Sequence, residues 1–119
     1  MVGLAASGCV AEKINDPVVC TAIAVSSLNV TVRDAATGAR VCDAAVVAIQ
    51  GAARYELRRT GGPDCGYAGP EERAGLFEVR AARDGYQPAV VTGVRVTEDE
   101  CHVIPVFVSL DLRAAVPPS

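Results

Sequence analysis

The chain has few large aromatic side chains and a single histidine. Its 119 residues include no Trp, two Phe, three Tyr and one His. Half of the residues are hydrophobic, so a core can form, but it must be built mostly from Val and Ala. Because a chain of this size buries a limited apolar surface, it gains stability from covalent cross-links. The length predicts one domain.

A large positive charge and a long apolar run are also missing, which excludes two classes of protein. The formal net charge is -3 and the isoelectric point is near 5.0, with both signs in most segments, so a nucleic-acid-binding surface is not expected. No apolar run reaches the roughly 18 residues of a transmembrane helix. We therefore expect neither a nucleic-acid partner nor a membrane-spanning helix.

No Cys-x-x-Cys pair is present, which disfavours a zinc ribbon or a thioredoxin-like redox site. Five cysteines are nevertheless many for a cytosolic domain, and they stand at positions 9, 20, 42, 65 and 101. The four in the folded part, Cys20, Cys42, Cys65 and Cys101, suggest two disulfides and an oxidising compartment. The alternative is buried free thiols in a reducing compartment. Four cysteines allow three pairings.

The fifth cysteine, Cys9, follows a run of small residues. Ala6-Ser7-Gly8-Cys9 resembles a bacterial lipobox, in which the cysteine becomes the lipid-carrying N-terminus. Ala6 replaces the usual Leu, and the preceding segment is too short and uncharged for a signal peptide, which indicates a start assigned too far downstream or a truncated chain. The alternative is an ordinary N-terminus with a free thiol. We expect residues 1–22 to form a lipobox-like N-terminus and tether, with Cys9 lipidated.

Period-two alternation of apolar and polar residues predicts strands through most of the chain. The clearest segments are residues 28–33, 75–82 and 104–112. No helix start is followed by an apolar stripe of period 3.6. Short strands at this spacing predict an all-β sandwich or barrel over residues 23–113, and residues 114–119 are expected to be a disordered tail.

The alternation also predicts which side chains face the core. In the last strand, one set of residues alternates with the other: Ile104, Val106, Val108, Leu110 and Leu112 with Pro105, Phe107, Ser109 and Asp111. The second strand is apolar at nearly every position, so its register is ambiguous. There we predict that Ala44, Val46 and Ala48 point inward.

Residues 59–74 hold four Gly and two Pro, which predicts an irregular loop, pinned in its middle by Cys65. We expect Tyr67 to be exposed there, either as a contact residue or as a cover for a disulfide. Arg73 adds a positive charge, or is ordinary surface. We predict that Thr60–Arg73 forms the contact surface, with Tyr67 and Arg73 as its binding residues.

No residue pattern indicates catalysis or a bound metal. His102 is the only histidine, and the adjacent Cys101 would point to the opposite face of a strand. A Ser-His-Asp or Cys-His arrangement has no other candidate. The acidic residues 98–100, with Glu71 and Glu72, could bind calcium, but they fit no EF-hand loop and a solvated turn is favoured. We predict no cofactor, no metal site and no catalytic residue.

Four motifs occur in a fixed order along the chain: Val30-x-Val32-x-Asp34-x-x-Thr37-Gly38, Asp43-Ala44-x-Val46, Gly75-x-Phe77-x-Val79-x-Ala81-x-x-x-Gly85-Tyr86 and Val94-x-Val96. Their order and spacing, over about residues 26–112, resemble the carboxypeptidase regulatory-like domains, which are transthyretin-like (prealbumin-like) β-sandwiches related to Cna-B adhesin modules. The chain departs from that pattern at Asp43, where a Gly is usual, and in its long Gly-Pro loop. The cysteine pattern resembles that of small bacterial lipoproteins of unknown function.

The resemblance implies an all-β fold, a seven-stranded Greek-key transthyretin-like (Ig-like) sandwich. In such a sandwich the first and last strands lie side by side and parallel, which brings Cys20 near Cys101. Strands two and three form a hairpin, with Cys42 and Cys65 at one of its ends. The resemblance therefore implies the disulfides Cys20–Cys101 and Cys42–Cys65.

Regulatory-like domains are non-catalytic and support folding, spacing or binding. The resemblance thus implies a non-enzymatic, monomeric interaction or structural module of the bacterial cell envelope, either lipid-anchored at the outer membrane or periplasm, or secreted. Its expected partner is an envelope protein or a glycan, and it would contact the membrane only through a lipid anchor. The alternative is a carbohydrate- or peptide-binding module. Transthyretin-like hydroxyisourate hydrolases resemble the chain poorly, because their C-terminus is Tyr-Arg-Gly-Ser-like and this chain ends Val-Pro-Pro-Ser.

Overall fold

The computed structural model describes residues 19–116, which form two four-stranded sheets packed as a sandwich, with no helix in that range. The strands are β1 Ser26–Asp34, β2 Ala45–Gln50, β3 Ala53–Glu56, β4 Arg58–Arg59, β5 Gly66–Glu71, β6 Gly75–Ala82, β7 Ala89–Val96 and β8 Val106–Leu112. The first sheet has the order β4-β5-β1-β8 and the second β3-β2-β6-β7. Over these residues there is accordingly no helix able to cross a membrane. The predicted all-β sandwich is confirmed.

Alternate side chains of both sheets build the core. In β6, Phe77, Val79 and Ala81 are buried while the residues between them face outward, as their alternation predicts. In β2, Val46 and Ala48 join the core, which confirms the predicted register. The core cluster, mostly Val and Leu, consists of Leu28, Val30, Val32, Val41, Val46, Ala48, Leu57, Tyr67, Phe77, Val79, Ala81, Val96, Val103, Leu110 and Leu112.

The first strand, β1, is central to the first sheet. It pairs with β8 in parallel, from Leu28 opposite Val106 to Asp34 opposite Leu112. On its other side it pairs with β5 in the antiparallel sense. The parallel pairing of the first and last strands is the arrangement that the sequence resemblance implies.

Residues 59–74 are not irregular throughout, and that prediction is wrong. Gly66–Glu71 forms β5, which brings the strand number to eight rather than the expected seven. Gly69 takes a φ of 141°, which residues other than glycine rarely adopt, although a Cβ there would make only an ordinary contact, 3.7 Å from the Leu57 side chain. Pro70 is tolerated because β4 pairs with β5 only at Tyr67 and Ala68, so no strand lies beside Pro70 on that side.

The two disulfides lie at opposite ends of the sandwich. At the tether end, where β1 and β8 begin, Cys20 is joined to Cys101 with 5.2 Å between their Cα atoms. At the cleft end, where β1 and β8 finish, Cys42 is joined to Cys65 with a Cα separation of 4.8 Å. Because a strand rises about 3.3 Å per residue, the nine residues of β1 separate the two ends by roughly 26 Å.

Candidate functional site

A surface cleft of about 440 Å³ lies at the cleft end, beside the Cys42–Cys65 disulfide. It is built from the turn after β1, the segment before β2, strand β4 and the turn after β6. Two carboxylates and three guanidinium groups lie on its walls. The lining residues are Asp34, Thr37, Ala39, Arg40, Val41, Cys42, Asp43, Arg59, Arg83 and Tyr86.

The turn after β1 forms one wall and is organised by Asp34. Its Oδ1 accepts hydrogen bonds from the backbone N–H groups of Ala36 (2.8 Å) and Thr37 (3.0 Å), while Gly38 takes a φ of 76° that favours glycine. Tyr86 donates its hydroxyl proton to Asp34 Oδ2 across 2.6 Å. The Tyr86 hydrogen bond, followed by those from the backbone, lowers the pKa of Asp34, and the same contact raises the pKa of Tyr86.

The opposite wall holds a second engaged carboxylate. Arg83 Nε lies 2.6 Å from Asp43 Oδ1, and the Arg83 guanidinium stands 5.6 Å from the centre of the Tyr86 ring. The hydrogen bond from Arg83 lowers the pKa of Asp43, and the same hydrogen bond raises the pKa of Arg83. Both acidic groups of the cleft are therefore already engaged by protein donors.

Two of the three arginines have no acidic partner of this kind. Arg40 Nη1 donates to the backbone carbonyl of Asp64 at 3.0 Å, and Arg59 donates to the carbonyl of Cys42. Neither forms an ion pair with any residue of the range 19–116. Exposed guanidinium groups bind carboxylates through paired N–H donors. Because Arg40 and Arg59 bond only to backbone carbonyls here, the cleft suits binding of an anionic group.

Tyr67 supports this cleft from inside the protein and is not exposed, so that prediction is wrong. Only 2% of its surface is exposed, because β5 turns the ring into the core instead of leaving it in a loop. Its hydroxyl donates to the Val41 carbonyl (2.7 Å) and accepts from the Ala44 N–H (3.0 Å). The two partners stand on either side of Cys42, so the ring braces the segment that carries the disulfide.

Arg73, the second predicted binding residue, is exposed but lies far from the cleft. Its guanidinium lies 5.5 Å from the centre of the Tyr55 ring, and its N–H and carbonyl are bonded to the Ser27 hydroxyl. Ser27 is the second residue of β1, which begins at the tether end. The structure therefore does not bring Tyr67 and Arg73 together, and Thr60–Arg73 is not one continuous surface.

The tether end contains the only histidine. His102 Nδ1 lies 2.6 Å from Glu72 Oε2, and its Nε2 lies 2.9 Å from the Thr21 hydroxyl. Glu72 also accepts the backbone N–H groups of Val25 (2.9 Å) and Val103 (3.1 Å), and the His102 contact is the main reason that its pKa is lowered. These bonds fasten the incoming chain to the sandwich.

The predicted acidic turn is organised by its own backbone. Asp99 accepts the N–H groups of Cys101 (2.8 Å) and His102 (2.9 Å), and these two bonds lower its pKa. In the part of the chain that the structure describes, no three His, Cys, Asp or Glu side chains are grouped so that they could hold a metal ion.

The disulfides agree with the pairing that the resemblance implies, Cys20 with Cys101 and Cys42 with Cys65. Two disulfides are typical of a protein that works outside the cytoplasm. The predicted lipidation site, Cys9, lies outside the described residues, as do most of the predicted tether and the last part of the predicted tail.

Sequence reasoning missed the residues that form the cleft. Arg40, Arg59 and Arg83 come from segments about twenty residues apart, and no local pattern links them. The one available signal was the turn motif that begins at Asp34, because Asp34 and Thr37 line the cleft.

In comparisons with known proteins, neither the models of protein families nor the curated proteins gave a match.

Proposed function

We propose that this chain is a non-catalytic binding module of the bacterial cell envelope that holds an acidic group of a partner protein in the cleft. The observation that carries the proposal is the position of the two disulfides. One fastens the incoming chain at the tether end, and the other fixes the cleft wall about one strand length away. A chain anchored through its N-terminal segment would thus present the cleft away from the membrane.

The charges of the cleft support an acidic partner. Asp34 and Asp43 are bound by Tyr86 and Arg83, which leaves Arg40 and Arg59 to pair with carboxylates from outside. The whole chain carries a net charge of -3, so the cleft is a local exception on an acidic protein. Local complementarity of this kind contributes specificity and association rate.

The finer assignments rest on the sequence. The resemblance to carboxypeptidase regulatory-like domains supports a monomeric module without catalytic activity. The lipobox-like run before Cys9 supports a lipid anchor, and secretion without an anchor is the alternative. Carbohydrate or peptide binding through Tyr67 loses its basis, because that ring is buried in the core.

The test is site-specific photo-crosslinking in cells that naturally produce the protein. A photoreactive amino acid at the exposed cleft residue Ala39 is expected to capture one defined product, whereas the same group at the exposed Thr92 of β7 is not. The Arg40→Ala/Arg59→Ala variant should reduce that product. The Arg54→Ala/Arg95→Ala variant, which removes the same charge from the second sheet, should retain it.

Two results would contradict the proposal. One is the absence of any product from position 39. The other is an equal loss of product in both double variants, since the cleft arginines would then contribute no more than surface charge.

A further inference from the structure

A second surface, separate from the cleft, carries the most exposed aromatic ring of the described residues. Phe107 in β8 is 71% exposed, whereas Phe77 and Tyr67 are each 2% exposed. In the parallel pair, Phe107 lies opposite Asn29 and Ser109 lies opposite Thr31. Since Leu28, Val30 and Val32 between them point into the core, these four side chains share the outer face of the first sheet.

Phe107 stands at one side of a groove of about 350 Å³ on that face. Asn29, Thr31 and Ser109 line its floor, and Thr60 and Asp64 line it on the far side. We define these residues with Phe107 as the outer-sheet groove. Gly66 in the neighbouring strand adds no side chain, and a Cβ there would lie 3.0 Å from Thr60 Oγ1, so the groove stays open.

The polar groups of the groove are available to a ligand. The Thr60 hydroxyl is bonded to the Gly66 carbonyl at 3.3 Å. None of the side-chain hydrogen bonds of residues 19–116 involves the Asn29 amide or the hydroxyls of Thr31 and Ser109. An amide offers two donors and an acceptor, and a hydroxyl offers a donor and an acceptor. The floor of the groove therefore presents donors and acceptors alternately beside one apolar ring.

The charge of the groove selects among ligands. No Lys or Arg lines it, and its one charged side chain is the carboxylate of Asp64. Anionic ligands are disfavoured there, in contrast to the arginine-lined cleft. A neutral polyhydroxylated ring matches the groove, because its hydroxyls can exchange hydrogen bonds with the amide and hydroxyl groups while its C–H face lies on the aromatic ring.

We propose that the outer-sheet groove binds a neutral saccharide, with the Phe107 ring stacked on one sugar and Asn29, Thr31 and Ser109 bonded to its hydroxyls. This site is independent of the cleft and of the acidic partner assigned to the cleft. Ligand sites of this form combine one apolar contact with a few placed polar groups that set orientation.

The test is an NMR titration of the ¹⁵N-labelled, oxidised full chain with neutral hexasaccharides of glucose, mannose and N-acetylglucosamine, each at millimolar concentration. At least one of them is expected to shift the backbone amide signals of Asn29, Thr31 and Phe107. The Phe107→Ala variant should weaken that binding about tenfold, because the ring supplies the apolar contact area. Leu76→Ala, which truncates a 51% exposed side chain on the second sheet, is the matched control and should bind as the unmodified chain does.

Three outcomes would overturn the proposal. The first is that none of these saccharides shifts the groove signals. The second is that Phe107→Ala binds as tightly as the Leu76→Ala control while both remain folded by their spectra. The third is that the groove signals respond to an extended peptide or to an acidic oligosaccharide and to no neutral one.

Discussion

Tyr67 and Phe107 lie in the same sheet but have opposite roles. Tyr67 is buried and its hydroxyl bridges the backbone of Val41 and Ala44. Phe107 is exposed and has no comparable contact within the sandwich. The first ring should therefore matter for stability, and the second for binding.

We predict that Tyr67→Phe lowers the free energy of unfolding by about 1–3 kcal/mol, because it leaves a buried carbonyl and a partly buried N–H without a partner. Urea unfolding followed by circular dichroism measures this difference. Phe107→Ala serves as the contrast and should change the free energy of unfolding by less than about 0.5 kcal/mol, as exposed substitutions do. Equal losses in the two variants would show that the assigned roles are wrong.

The sequence allowed one of these two rings to be placed correctly. The alternation in the last strand groups Phe107 with Ser109 and Asp111, and in the structure this set is the exposed one. Tyr67 stands among glycines and prolines, so composition indicated a loop. Its burial depends on pairing between β5 and the distant β1, which no local pattern reveals.

Asp34 makes the stability of the cleft wall depend on pH. Its pKa is lowered in the folded state, first by the Tyr86 hydroxyl. A carboxyl group with a lowered folded pKa stabilises the protein above its unfolded pKa, about 3.9 for Asp. That contribution is lost as the pH falls through the lower folded pKa.

We predict that Asp34→Asn unfolds at a lower temperature than the unmodified chain at pH 7, and that the difference disappears in strong acid. Thermal unfolding over a series of pH values measures it. In a Tyr86→Phe background, Asp34→Asn should have a smaller effect, because the largest cause of the pKa shift is already gone. A difference that stays constant down to the most acidic pH would contradict this role of the carboxylate.

At the scale of elements, β5 is bounded by two strained residues. Cys65 before it and Glu72 after it both have a φ of 52°, which non-glycine residues rarely adopt. Each is held by outside contacts. The disulfide to Cys42 holds Cys65, and hydrogen bonds from Val25 and Val103 hold the Glu72 carboxylate. Strain of this kind persists only where the surroundings fix it.

We predict that Cys42→Ala/Cys65→Ala lowers the free energy of unfolding by about 3 kcal/mol, the loop-closure value for a separation of 23 residues. Urea unfolding of the oxidised proteins measures the change. Reduction of all disulfides should cost more, since the Cys20–Cys101 link closes 81 residues. A double variant as stable as the unmodified chain would show that β5 and the cleft wall do not depend on this link.

Elements with a clear period of two were predictable from the sequence. β1, β6 and β8 alternate cleanly, and the structure confirms all three. β5 was not predictable, because its six residues include two glycines and a proline and its position is set by β1. The cleft was not predictable either, since its arginines meet only after both sheets have packed together.

At the scale of the whole molecule, the sandwich places two different groups of residues at its opposite ends. The tether end holds His102, Glu72 and the Cys20–Cys101 link. The other end holds the cleft and the Cys42–Cys65 link. The parallel pairing of β1 and β8 creates this separation, because both strands start at one end and finish at the other. That long-range pairing followed from the sequence resemblance and not from any single segment.

We infer that two disulfides, formed outside the cytoplasm, fasten the tether and the cleft at opposite ends of the sandwich. Non-reducing peptide mapping by mass spectrometry, on protein isolated from cells that naturally produce it, tests this claim most directly. We expect one peptide pair linked through Cys20 and Cys101 and another linked through Cys42 and Cys65. A link between Cys42 and Cys101, or four cysteines recovered as free thiols, would contradict the account.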